Sequence, residues 1–400
     1  MMRQLKLPFY LAFQYIRRGR KWTLFLTIFL MTAAFVNLIF LPSLFNGIID
    51  GANKQIINTL TGDIYITPNN GQDYINNVSY VLDQLRTIDG VDALSAKMSV
   101  PANLKYNNIT LSRQILAINP NDEKNVSNIS QKMISGSYLS SGDRDQIIIG
   151  KQIAGGNGVE ENAISFKGAK VGDKVTLILN GKPRQFNIKG IFDTKFVQSD
   201  ERAFITNEAL QKIMPSANNK ATTINIRINQ DTNQNAVINS INQKNINGTV
   251  YKWQEAAGVM KSVSNSFLSI NIILSFTSVL IAAVTIIIII YVTIINKRKE
   301  IGILRAIGIK PYIIVFSYVI LSAVYATAGI IIGTILFFAI IMPYFQIHPF
   351  VLPICNAVLV LGWSDYIIRL EAIIWVSIFA GFIPAVIVTR TKMLNAILGK

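Results

Sequence analysis

Residues 267–295 read FLSINIILSFTSVLIAAVTIIIIIYVTII, a stretch without a single charge. Within it Ile286–Ile290 is an unbroken run of isoleucine. In water such a density of β-branched residues favours a strand, but strands seldom exceed about ten residues. A helix of ~20 apolar residues, at ~1.5 Å per residue, crosses a hydrocarbon core of ~30 Å. Length therefore decides for a membrane-spanning helix over 266–295, and the rest of the chain has to be arranged around it.

Three more runs qualify on the same ground. The first, 22–45, is centred on Trp22–Leu44; it is long and no small-residue cleavage site follows it, so it reads as a retained helix rather than a signal peptide. The third span covers 312–342, and its Gly329 and Gly333 have the small-xxx-small spacing that lets helices approach closely, or are an incidental pair. Pro343, Pro349 and Pro353 are expected to break the helical pattern. Phe350–Trp363 is apolar but too short to cross, so it reads as an interfacial or re-entrant piece of a 343–370 loop. The fourth span is 371–389, with Arg369 and Glu371 at its outer edge.

Charge sets the orientation. The chain of 400 residues is 51% hydrophobic and only 15% charged, with a net charge of +16. Ordinary soluble domains are about 25% charged. The basic excess is concentrated at 1–21 (Arg3, Lys6, Arg17, Arg18, Arg20, Lys21), at 296–311 (Lys297, Arg298, Lys299, Arg305, Lys310 against Glu300) and at 390–400 (Arg390, Lys392, Lys400). The 343–368 stretch holds no Lys or Arg. By the positive-inside rule the three basic pieces are cytosolic, both termini included, and the protein is a multi-pass protein of the inner (plasma) membrane. Residues 46–265 and the 343–370 loop then lie outside. Nucleic acid is not an expected partner, since no basic patch has interleaved aromatics.

The 46–265 insert is long enough for its own core. Asp63–Thr67, Lys174–Leu179, Arg184–Ile191 and Thr222–Ile228 alternate as strands do, and Asn180-Gly181 between two of them is a hairpin signal. Tyr80–Ile88 and Ala236–Ile246 suit amphipathic helices, and Gly155-Gly156-Asn157-Gly158 marks a loop. An α+β domain with neighbouring ends is expected, because both ends return to one membrane face.

Catalysis finds little support. His348 and Cys355 are the only residues of their kinds and neither lies in the insert, so a Ser-His-Asp triad, an internal disulfide and a Cys/His zinc site are excluded. The acid pairs Asp143/Asp145 and Glu160/Glu161 are expected to be solvated loop residues. The chain has no Walker A motif, so any ATP is bound and hydrolysed by a separate subunit, and no cofactor or metal is expected.

The basic segments carry more than charge. Residues 3–18 interleave Leu5, Leu7, Phe9, Leu11, Phe13 and Ile16 with basic residues, as an amphipathic helix on a membrane surface does. Residues 296–311 read NKRKEIGILRAIGIKP, placing Ile301, Ile303, Leu304 and Ile307 among charges at helical spacing. Apolar residues in so short a connection need a partner, either the membrane surface or a groove on another protein. Asn37 in the first span and Asn271 and Ser275 in the second either face a cavity or bond between helices, and Phe45 ends the first span.

The segment KRKEIGILRAIG closely resembles the signature that follows the second helix in FtsX-like ABC-transporter permeases, the superfamily of the MacB and LolC/LolE types. That family's plan, one helix, a large outer domain and three helices, matches the plan above. The resemblance implies that Lys299, Glu300, Ile301, Gly302, Leu304, Arg305 and Gly308 contact an ABC ATPase subunit. It also implies a second permease copy or paralogue as partner, and transmission of ATPase motion to the outer domain. Leu44-Phe45-Asn46-Gly47, Gly62-Asp63-Ile64-Tyr65-Ile66 and Phe186-Asn187-Ile188-Lys189-Gly190-Ile191-Phe192 followed by Asp200 are similar to the lipoprotein-releasing LolC/LolE type. That similarity implies lipoprotein or amphiphilic cargo near Asn37, Phe45, Asn271 and Ser275, with a periplasmic chaperone as a further candidate partner. The tail departs from the family: Pro384, Ala385 and Ala396 are kept, but Asn395 stands where the family has Glu. MacB-type export of antibiotics or peptides, and an FtsX-type activator of a cell-wall hydrolase, are the alternatives.

Overall fold

The computed structural model describes residues 2–18, 21–159, 164–244, 246–256, 258–352 and 355–389. Glu160, Glu161, Asn395 and Ala396 lie outside the described residues. The chain divides into two compact units, a helical one made of 1–50, 264–350 and 357–400, and a mixed one made of 51–263 with 351–356.

Among the described residues of the helical unit, four helices are long and apolar enough to cross a membrane. The first, TM1, runs as an α-helix over Lys21–Ile56 and continues through a wide turn over Ile57–Thr61. It does not stop near residue 45 as the loss of hydropathy suggests. Asp50, Asn53 and Lys54 are polar but do not oppose helix, so the backbone stays hydrogen-bonded until Gly62 turns away at φ 70°. TM2 lies in the helix Gly258–Asn296. Its buried stripe is Ser278, Ala282, Ile286, Ile290 and Ile294, one residue every four, which is the ridge that packs helix on helix. The isoleucine run is thus divided, Ile286 and Ile290 inward and Ile288 outward.

TM3 runs over Pro311–Leu336 and does not end at Pro343. A wide π-turn over Phe337–Ile341 precedes a last helical piece, Met342–Ile347. The widened turn takes up the missing N–H and ring bulk of Pro343, so the chain bends into a new turn of helix instead of breaking. TM4 occupies Trp363–Thr389 and starts well before residue 371. Asp365 in its first turn favours the helix N-terminus, and Arg369 one turn on donates to the Asp365 carbonyl at 2.8 Å, so these charges start the helix rather than bound it. Residues 358–362, within the piece expected to be interfacial or re-entrant, carry no helix. They lie against TM1: the Val360 N–H donates to the Ser43 carbonyl at 3.0 Å. Gly47 permits this approach, because a Cβ there would collide with the Val358 carbonyl oxygen.

Among the described residues the 51–263 part of the mixed unit holds twelve strands: β1 Ile64–Thr67, β2 Ile75–Asn76, β3 Val91–Tyr106, β4 Ile109–Ile118, β5 Met133–Gly136, β6 Gln146–Gly150, β7 Lys174–Leu179, β8 Lys182–Phe192, β9 Ala203–Thr206, β10 Lys220–Ala221, β11 Thr223–Ile228 and β12 Thr249–Lys252. Ten of them form one sheet in the order β12-β1-β11-β3-β4-β9-β6-β8-β5, with β7 bridging β3 and β8. Because β7 pairs with both, β3-β4-β9-β6-β8-β7 closes into a ring. Every strand of the ring sends alternate residues inward, among them Val100, Leu104, Ile115, Ile147, Leu177, Phe186 and Ile205, all buried. The long β3 leaves the ring to support an open wing, where β1 and β11 are covered by the helices Val78–Arg86 and Gln234–Gln243 around Ile64, Leu85, Ile226, Val237 and Ile241. The expected β7–β8 hairpin turns at Asn180 and Gly181, with φ 49° and 75°. β1 and β12, the first and last strands, lie side by side with Tyr65 stacked on Tyr251 at 5.4 Å.

The β8 motif and its aspartate are structural. Asp200 is buried, and its carboxylate accepts hydrogen bonds from the Thr194 backbone N–H at 2.9 Å and the Thr194 hydroxyl at 2.8 Å, which closes the turn after β8. Burial pushes its pKa up to about 7. A carboxyl whose pKa is raised on folding stabilises the fold fully below the unfolded value of ~4 and loses that contribution as pH rises through about 7. Asp200→Asn is therefore expected to gain stability relative to wild type between pH 5 and pH 8, by on the order of a few kcal/mol. Thermal melts of the full chain at the two pH values check this, and a constant difference between variant and wild type would refute it.

Candidate functional site at the connection between TM2 and TM3

Helix Arg298–Ala306 forms most of this connection. It begins after Lys297, whose ammonium pairs with Glu300 one turn on. It ends at a left-handed glycine: Gly308 has φ 97°, its N–H donates to the Arg305 carbonyl at 3.0 Å, and the Ile309 N–H donates back to the Leu304 carbonyl at 3.1 Å. This pair of bonds is the Schellman stop, which needs a residue at home with positive φ. Gly308 thus acts as the stop of the helix, and Pro311 then opens TM3.

The helix has two apolar faces. Ile301 is buried in the bundle beside Ile294, Ile314 and Tyr318, and Leu304 packs against the same cluster. Gly302 is buried as well, whereas Lys299 and Glu300 are exposed and Arg305 is half-buried. Ile303 and Ile307 point away from the bundle, 52% and 76% exposed. Of the residues matched to the family's loop, Ile301 therefore anchors the helix to its own chain. The outward apolar pair is Ile303 and Ile307, one helical turn apart. Sequence spacing separates 301/304 from 303/307 as two faces, and burial shows that the second is the one turned outward.

The packing glycines of TM3 face TM1. A Cβ on Gly329 would lie 2.7 Å from the Met31 Cβ and 3.0 Å from the Met31 carbonyl carbon, and one on Gly333 would lie 2.9 Å from the Phe35 ring. Gly381 of TM4 approaches Ser322 of TM3 in the same way, which the spacing rule did not single out.

The polar residues of the first two spans meet between helices. Ser278 donates to the Asn37 amide oxygen at 3.3 Å, Asn271 to the Asn46 amide oxygen at 3.3 Å, and Ser275 to the Asn271 amide oxygen at 3.4 Å. Asn46 in turn donates to the Asp365 carboxylate at 3.0 Å, and Asp365 pairs with Arg369 at 3.8 Å. Asn46, Asp365 and Arg369 complete a network tying TM1, TM2 and TM4, and reading the spans one at a time missed them. Phe45 is half-buried beside this network in sequence and shares none of these bonds. A separate groove of about 480 Å³ runs between TM1 and TM3, lined by Phe25, Phe29, Val36, Ile332 and Ile340 among other apolar residues. Among the described residues no group of His, Cys, Asp and Glu is placed to hold a metal ion.

A family model described as the MacB-like periplasmic core domain matches residues 24–244, and one described as the FtsX-like permease C-terminal matches residues 272–393. No curated protein matches the chain. Among solved structures the chain is similar to the periplasmic region of MacB from Actinobacillus actinomycetemcomitans, at 13% identity over 51% of this chain and 95% of that one, with a TM-score of 0.38. It is also similar to the extracellular domain of the noncanonic ABC-type transporter YknZ from Gram-positive bacteria, at 14% identity over 47% of this chain and 98% of that one, with a TM-score of 0.35. With the first model covering TM1 and most of the large domain and the second covering TM2 to TM4, the chain belongs to the MacB- and FtsX-like family of ABC-type permeases, multi-pass proteins of the inner membrane.

Proposed function

We propose that this permease is the membrane subunit of a lipoprotein-releasing type of transporter, moving lipoprotein or lipid-like cargo with work supplied by a separate ABC ATPase. The observation that carries the coupling half is the outward pair Ile303 and Ile307 on a helix anchored through Ile301. A helix held by one apolar face and presenting a second has the form of a lever that a partner can seat and push. Lys299 and Glu300, exposed one turn before the pair, supply charge for orientation. In this reading the connection is cytosolic, both termini lie on its side, and a second permease copy or paralogue completes the assembly. The cargo half is supported by the groove between TM1 and TM3, whose lining suits an acyl chain better than a peptide or an ion.

Two measurements test the proposal. Ile303→Asp with Ile307→Asp is expected to insert normally but to lose at least ~10-fold in co-purification of an ATP-hydrolysing subunit, since burying a charge at an apolar contact is costly. Undiminished co-purification would remove the lever from the account. Depletion of the permease is expected to leave lipoproteins in the inner membrane. Normal lipoprotein sorting together with hypersensitivity to amphiphilic antibiotics would instead favour export of the MacB kind.

A further inference from the structure

At the basic end of the bundle a cavity of about 470 Å³ opens where the helix Met2–Arg18, the start of TM1, the end of TM2 and TM3 come together. Its rim carries two cations from separate elements, Arg18 from the N-terminal helix and Lys297 from the end of TM2, with the Asn296 amide beside them. Tyr15, Leu24 and the buried Leu321 and Tyr325 supply its apolar and aromatic lining, with Thr23 and Thr293 beside them. Among the described residues, Glu300 is the acid that meets these cations, paired with Lys297. Tyr15 stacks on the buried Tyr318 at 5.3 Å, which fixes the N-terminal helix against TM3 and keeps the cavity walled.

Two cations beside an apolar, aromatic lining, at the level where the spans end, match a ligand with a phosphate joined to hydrocarbon. We propose that this cavity binds the phosphodiester headgroup of an anionic phospholipid, with the phosphate held between Arg18 and Lys297. Basic pockets between helices at a membrane surface hold headgroups in this manner. A free phosphate would satisfy the two cations but would leave the tyrosine and leucine side chains unused, so a lipid engages more of the lining. The bound anion competes with Glu300 for Lys297 and frees that carboxylate on the outward side of the helix Arg298–Ala306. The lipid would thereby set the charge that the helix presents, and it would pin the N-terminal helix to the same place. This inference needs only the membrane bundle and does not depend on the cargo or on the ATPase partner.

The test uses the purified full chain in detergent, delipidated and then titrated with phosphatidylglycerol, phosphatidylcholine or inorganic phosphate. Retained lipid is counted by native mass spectrometry and thermal unfolding is recorded in parallel. Phosphatidylglycerol is expected to be retained and to raise the melting temperature, while phosphatidylcholine has little effect. Arg18→Gln and Lys297→Gln are each expected to weaken retention roughly fivefold, the worth of one basic residue near an anionic surface. Arg17→Gln, an exposed residue outside the lining, is expected to behave as wild type. Equal effects of the two lipids on the wild-type chain would overturn the proposal even if a variant failed to fold, as would undiminished retention by folded Arg18→Gln and Lys297→Gln. A shift produced by inorganic phosphate alone, with no lipid retained, would overturn the lipid assignment and leave a soluble-anion site.

Discussion

Gly47→Ala is expected to detach the 358–362 segment from TM1 and to cost at least about 3 kcal/mol, the upper end for forcing atoms into a filled space. The added methyl would occupy the position of the Val358 carbonyl oxygen, a backbone atom with no rotamer to change. Relief requires the segment to move, which breaks the Val360 N–H bond to the Ser43 carbonyl. A backbone group left without a partner in a packed contact is costly in itself, so the two losses reinforce each other. Hydrogen exchange at 356–362 and the melting temperature in detergent would register the change. Unaltered protection in that segment would mean that the close approach is not needed. The control is Gly142→Ala, at a turn position outside the positive-φ region where an added Cβ meets nothing within 4 Å.

Glu123→Ala is the second large loss. Glu123 is fully buried, and its carboxylate pairs with Lys97 at 2.8 Å and accepts from the Ser95 hydroxyl at 2.6 Å. Lys97 is itself only 5% exposed along its side chain, and burial also lowers the pKa of the nearby Arg202 against the opposing pull of the Glu123 charge. Removing the carboxylate leaves a buried cation unpaired, at a cost of about 3–5 kcal/mol. Glu123→Leu combined with Lys97→Met removes both charges and is expected to recover part of that loss, limited by the Ser95 hydroxyl and Arg202 left behind. Urea unfolding of the single and double variants separates the cases. A double variant no better than the sum of the singles would show that the two side chains do not depend on each other.

The membrane plan was readable because hydrocarbon imposes one demand, uncharged length, and the four runs meet it without competition. Helix ends were less readable for the same reason. Charge marks where a helix leaves hydrocarbon, not where it stops, so TM1 continues past Asp50 to Thr61 and TM4 starts before Arg369. In the large domain the Asn180-Gly181 hairpin and the β1 alternation are local signals and were legible. Closure of the ring by β7 on β3 joins residues about seventy positions apart and left no mark in either strand. At the TM2–TM3 connection the sequence showed that apolar residues needed partners. It could not show that Ile301 finds its partner inside the same chain while Ile303 and Ile307 do not.

The closed ring has a consequence for how this domain keeps its own company. A strand with one unpaired flank is an invitation to any passing chain, and a cylinder issues none. In the principal sheet, among the described residues, only β5 and β12 remain as outer flanks, each four residues long. Flanks so short make poor templates for stacking copy upon copy.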